Sequence, residues 1–124
     1  MPEQNEKENN KKYDLEERTA VFGEEIIKFV KSLPDTPINR PLINQLIRSG
    51  TSIGANYMEA NGAESKRDFQ HKIGICKKEA KETMHWLRMV AVGNTDKAER
   101  CRKLWKEVHE LVLIFSSIIL KIKS

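Results

Sequence analysis

From Leu15 onward, apolar residues recur at alternating steps of four and three. Leu15, Thr19, Phe22, Ile26, Phe29 and Leu33 form the first such seam, and Pro34 ends it. That period belongs to a helix with one buried face. Pro34 and Pro37 mark a connector, and Pro41 suits the first turn of a second helix, where its missing N–H would have been unpaired anyway. Leu42, Leu46, Ser49, Ile53, Asn56 or Tyr57, and Ala60 carry the next seam to Asn61-Gly62. That pair tolerates the left-handed conformation at a helix C-terminus. Ser65 with Asp68 resembles a capping box opening a third helix that runs to about Val92. Its apolar face reads Phe69, Ile73, Cys76, Ala80, Thr83 or Met84, Leu87 and Val90. Beyond Gly93-Asn94, Asp96 and Glu99 are expected to cap a fourth helix with the seam Leu104, Val108, Leu111, Phe115, Ile118 and Ile122. No stretch alternates long enough to make a strand. Four helices of roughly 19 to 28 residues on short connections predict an all-α, antiparallel up-down-up-down four-helix bundle over residues 15–124. Residues 1–14 read as a mobile polar tail.

The second helix departs from an ordinary amphipathic pattern between Arg48 and Gly62. Gly50, Thr51, Ser52, Gly54 and Ala55 crowd small residues into two turns. A helix-interior Gly costs about 1 kcal/mol against Ala, so two of them at a spacing of four imply a closely approaching helix. Gln45, Arg48, Ser52, Asn56 and Glu59 set a polar stripe along one face. A helix so made is built to be covered, by something that supplies hydrogen bonds. Pairing the second and third helices antiparallel across residues 62–65 sets Arg48 against Glu79. It sets Ser52 against Ile75 and Cys76, Asn56 against His71, and Glu59 against Asp68 and Lys72. The expected result is a buried ion pair and hydrogen bonds that fix register and partner choice.

Charge changes the picture more than overall composition does. The net +4 is uneven: residues 66–92 carry seven basic and three acidic groups, and residues 93–124 carry seven and four. The second half therefore holds +7 and residues 1–65 hold −3. Such asymmetry can mark a nucleic-acid-binding face. Lys77, Lys78, Lys81 and Arg88 lie towards the end of the third helix, and Lys97, Arg100, Arg102, Lys103 and Lys106 open the fourth. An antiparallel turn brings the two groups to one end of the bundle. No sequence-reading motif accompanies them, so binding would be directed by backbone or shape. The longest apolar run, Leu111 to Leu120, is too short to span a bilayer, and the N-terminus has no apolar core of a secretory signal. Cys76 and Cys101 form no CxxC pair and read as free thiols of a cytoplasmic protein. On the fourth helix, the extra row of Trp105, Val112 and Ile119 can be buried against the first helix or against another subunit.

QLIRSGTSIGANYMEA on the second helix, followed by FQHKIGICKKEAKETMHWL on the third, resembles the bacterial four helix bundle protein family. Its founding members are encoded in intervening sequences of 23S ribosomal RNA genes. The family is similar in fold to the accessory variability protein of diversity-generating retroelements. The specific positions are Arg48, Ser49, Ser52, Ile53, Asn56 and Glu59 with Glu79, Glu82, Thr83, Trp86 and Leu87, and Ala60 stands where the pattern often has Gly. The resemblance implies a homopentamer of four-helix bundles. Through the retroelement relative, it also implies a basic surface for nucleic acid and a reverse transcriptase partner.

Enzyme chemistry finds little footing. Glu82 and His85 form an E-x-x-H, but a di-iron bundle needs a second such motif and two further glutamates. The fourth helix offers only Glu107 and His109, two residues apart, which turns the ligands away from each other. There is no phosphate loop following a strand and no nucleophile with a base beside it. The expectation is a non-catalytic protein without cofactor or metal, acting as a nucleic-acid-binding accessory. The alternative is an assembly module without nucleic acid, with a metal-binding carboxylate bundle a distant third.

Overall fold

The computed structural model describes residues 14–123, so of the polar tail only Asp14 falls among the described residues. It is all-helical, with four long helices and, among those residues, no strand: α1 Leu15–Lys31, α2 Asn39–Asn61, α3 Lys66–Gly93 and α4 Ala98–Lys123. A single 3-10 turn, Thr95–Lys97, precedes α4.

Each boundary has a local cause. Asp14 Oδ1 accepts the Glu17 amide at 3.1 Å. Glu16 and Glu17 in the first turn, with Lys28 and Lys31 in the last, complement the helix dipole. The Ser32 amide closes α1 on Phe29 O at 2.9 Å, two residues before Pro34. α2 begins two residues ahead of Pro41, because Thr36 Oγ1 accepts the Asn39 amide at 3.0 Å and the Arg40 amide bonds Thr36 O. Ser65 caps α3 as expected, accepting the Asp68 amide at 3.0 Å. The left-handed stop at Asn61-Gly62 does not form: Gly62 has φ −92°, and its amide folds back onto Met58 and Glu59 carbonyls. A chain that turns into the next helix within four residues can close with a tightened last turn instead. Asp96 and Glu99 do not open α4 as a simple cap either. Asp96 lies in the 3-10 turn, which carries no side-chain cap and is held by the Lys97 amide on Asn94 O.

The seams read from the sequence form the core. Ile26, Leu46, Ile53, Ile73, Cys76, Ala80, Leu87, Val90, Val108, Leu111 and Phe115 are all fully buried. Burying one such large side chain contributes about 1.5–3 kcal/mol. Specific contacts tie the helices to one another. Thr19 meets Gly54 and Ile26 meets Gly50. Between α2 and α3, Arg48 meets Glu79 and Glu59 meets Lys72. Arg18 on α1 reaches Glu107 and Glu110 on α4, while Glu25 takes Arg100.

The small face of α2 is covered by α1. A Cβ on Gly50 would stand 3.0 Å from Ile26 Cγ1, and one on Gly54 would stand 3.4 Å from the backbone of Thr19. The polar stripe lies on the opposite face of α2, towards α3, with Gln45, Arg48 and Glu59 exposed.

Candidate nucleic-acid interface

The polar seam between α2 and α3 is a small network centred on Arg48. Its Nη1 donates to Glu79 Oε2 at 3.0 Å, its Nη2 donates to Glu82, and its Nε donates to Gln45 Oε1 at 3.2 Å. The hydrogen bond to Glu82 and the two carboxylate charges hold the guanidinium pKa above its ordinary value. Glu79 is 10% exposed at its side chain, but Arg48 is 48% exposed, so the pair is capped by solvent and not enclosed. Glu59 and Lys72 pair at 2.7 Å. Ser52 and Asn56 do not cross to α3. Ser52 Oγ donates to Arg48 O and Asn56 Nδ2 to Ser52 O, each using the carbonyl one turn back that a short side chain can always reach. Deeper in the same interface, Thr83 Oγ1 donates to Ser49 Oγ at 2.9 Å with both residues fully buried.

Every carboxylate of this seam is already engaged. Glu82 is held by Arg48, and His85 packs edge-on against Trp86 at 4.9 Å between ring centroids. Among the described residues no group of three or more His, Cys, Asp or Glu could hold a metal. Burial pushes the Cys76 thiol up to about 12 and the Cys101 thiol up to about 11, so both are neutral at pH 7.

The basic residues are sorted by their partners. Arg18 is tied to Glu107 and Glu110, the Glu107 hydrogen bonds raising its pKa, and Arg40 is tied to Asp35. Arg100 is 3.3 Å from Glu25, with its guanidinium carbon 6.0 Å from the centre of the Phe29 ring. It therefore belongs to the α1–α4 contact, on the side of α4 away from Arg102. By contrast, Lys77, Lys81, Arg88, Lys97, Arg102, Lys103 and Lys106 make no side-chain ion pair or hydrogen bond among the described residues. Arg88, Arg102 and Trp105 border a cleft of about 210 Å³ between α3 and α4, floored by Leu87, Ala91, Ala98 and Cys101. A larger open hollow of about 510 Å³ lies along the first half of α3, lined by Arg67, Gln70, His71, Gly74, Ile75 and Lys78. The sequence reading did not single it out. A mid-helix Gly whose Cβ would meet nothing within 4 Å is the signal that could have done so.

The apolar row on α4 is only half-buried: Trp105, Val112 and Ile119 all pack against the core. Leu113 and Leu120, one heptad apart, are far more exposed, at 55% and 69%. No helix among the described residues is long and apolar enough to cross a membrane.

The family model of the 23S rRNA-intervening sequence protein matches residues 11–117. Among solved structures, the chain resembles a protein with unknown function from the S23 ribosomal protein family of Bacteroides thetaiotaomicron. The two are 32% identical, with a TM-score of 0.74 over 84% of this chain and 96% of that one. No curated protein matches.

Proposed function

The chain belongs to the 23S rRNA-intervening sequence protein family, and we propose that it is a non-catalytic accessory protein that binds nucleic acid. It does so as an antiparallel up-down-up-down bundle, assembled with copies of itself in the cytoplasm. One observation carries this reading: carboxylates neutralise Arg18, Arg40, Arg48 and Arg100, while Arg88, Arg102 and the lysines around them are left free on α3 and α4. Free cations on one side of a bundle offer contacts to phosphates without naming a sequence. Repetition around a ring would multiply those contacts, and the exposed Leu113–Leu120 stripe supports assembly through the distal half of α4. A reverse transcriptase is the protein partner that the likeness to the retroelement accessory protein favours.

The test is an anisotropy titration with structured RNA and duplex DNA over a range of salt. Affinity should fall linearly on a log–log plot, with a slope of about −0.9 per phosphate neutralised on duplex DNA. Replacing Lys97, Lys103 and Lys106 with Glu should weaken binding for every sequence while the mass in light scattering stays the same. No binding at low salt would discard the reading. In that case the same apolar stripe on α4 would favour an assembly module without nucleic acid.

A further inference from the structure

We propose that the cleft between α3 and α4 bordered by Arg88, Arg102 and Trp105 is a stacking site for one unpaired base of a single-stranded nucleic acid, with the two guanidiniums taking the phosphates on either side. This rests on the nucleic-acid reading and adds to it a preference for unpaired strands.

The cleft combines a small apolar floor, an aromatic wall and unpaired cations. Its floor is small and apolar, since Ala91, Ala98 and Cys101 stand where larger side chains would fill the gap between the two helices. No carboxylate lines it, and the buried Cys101 thiol is neutral. Asp96 on the preceding turn and Glu99 in the first turn of α4 are exposed and lie outside the lining. Trp105 forms one wall and is steadied by His109, whose ring stacks on the indole at 4.9 Å and 25°. Arg88 and Arg102 are exposed at the rim and unpaired, which distinguishes them from the other arginine on this stretch of α4.

At about 210 Å³ the space is below the ~300–1,000 Å³ of a pocket that encloses a drug-sized ligand, so it suits a single planar ring. A base stacked on an aromatic with arginines beside it is how sequence-tolerant single-strand binders gain affinity. A base within a duplex is already stacked and cannot enter, so a duplex would meet only the charges. The hollow around Gly74 has cations but only the small His71 ring where the cleft has an indole, so it offers a base a smaller stacking face.

The experiment compares Trp105→Ala, Trp105→Phe and wild type on an unstructured single-stranded RNA and on a duplex of the same sequence. Trp105→Ala should weaken single-strand binding about 5- to 140-fold, the stacking range for one base at tenfold per 1.4 kcal/mol. Duplex binding and the mass in light scattering should not change, and Trp105→Phe should restore most of the loss. In a Trp86→Phe background, the remaining Trp105 fluorescence should be quenched by the single strand and not by the duplex. This readout holds even where Trp105→Ala is unstable. Unquenched fluorescence, equal losses on both ligands, or a smaller oligomer from Trp105→Ala would overturn the stacking site. If the Lys97, Lys103 and Lys106 reversal still weakens binding in that case, the broader reading survives. Wild type that binds neither ligand overturns both.

Discussion

Asn39 and Asn94 are 55 residues apart in sequence, and their amides pair reciprocally. Asn39 Nδ2 donates to Asn94 Oδ1 at 2.9 Å, and Asn94 Nδ2 donates to Asn39 Oδ1 at 2.8 Å. Each amide also reaches a carbonyl, Pro34 O from Asn39 and Val90 O from Asn94. Both residues are nearly sealed from water, at 2% and 6% exposure. The pair ties the α1–α2 connector to the turn before α4. Asn94→Ala would leave Asn39 Oδ1 buried without a donor, which costs about 1–3 kcal/mol, and would free Val90 O for roughly another 1 kcal/mol. A total of about 2–4 kcal/mol should lower the melting temperature by roughly 8–16 °C for a chain of this size. Asn39→Ala should cost a similar amount. The double variant should cost less than the sum by about 1–3 kcal/mol, because each single change already breaks the shared bonds. Urea and thermal unfolding of the four proteins at one fixed concentration measure the cycle. Additive costs would refute the reasoning, as would an Asn94→Ala penalty below about 0.5 kcal/mol, a size ordinary for surface changes.

Gly50→Ala should destabilise by about 1–3 kcal/mol in urea unfolding, because its methyl would press on Ile26, and a neutral result would mean that α1 can shift away freely. Arg48→Ala should cost about 1–2 kcal/mol, between an exposed pair and an enclosed one, since Glu79 is buried but the guanidinium is half in water. A loss above 3 kcal/mol in thermal unfolding would show the seam to be sealed by another surface. Stability should also fall in alkali. Both thiols have raised pKa values in the fold, so the unfolded chain ionises them first, above their ordinary value of 9.0. Their contribution is complete below pH 9 and is lost as pH rises towards about 11 for Cys101 and about 12 for Cys76. The slope is up to about 1.4 kcal/mol per pH unit for each thiol. The Cys76→Ala, Cys101→Ala double variant should flatten the profile of melting temperature against pH, and an unflattened profile would assign the alkaline loss to other groups.

The helices were legible because their apolar residues repeat with the helical period and two of their ends carry Pro34 and Ser65. The close approach on α2 was legible as well, since Gly50 and Gly54 are hard to justify inside a helix unless a backbone lies against them. Polar partners were legible only where long charged side chains face each other, as Arg48 and Glu79 do. Ser52 and Asn56 sit on the same stripe and were misread as bridges, because short side chains return to their own helix when the neighbour is beyond reach. Asn39 and Asn94 were invisible as a pair. Periodicity describes helix faces, whereas these two meet at helix ends, Asn39 opening α2 and Asn94 closing α3, whose placement depends on how the helices pack.

The same limit shaped the reading of the basic end. Sequence alone grouped Arg100 with Arg102, two residues apart, yet on a helix that spacing turns side chains to nearly opposite sides. Packing sends Arg100 to Glu25 and Phe29 and leaves Arg102 beside Trp105. Arg88 reaches the same cleft from α3 because the turn between the helices is short. Net charge therefore counted cations without separating those that brace the bundle from those left over. On α4 that division is made by Glu25, the α1 carboxylate that holds Arg100. It moves the candidate interface off the α1-facing side of α4, towards the α3–α4 cleft and the lysines around it.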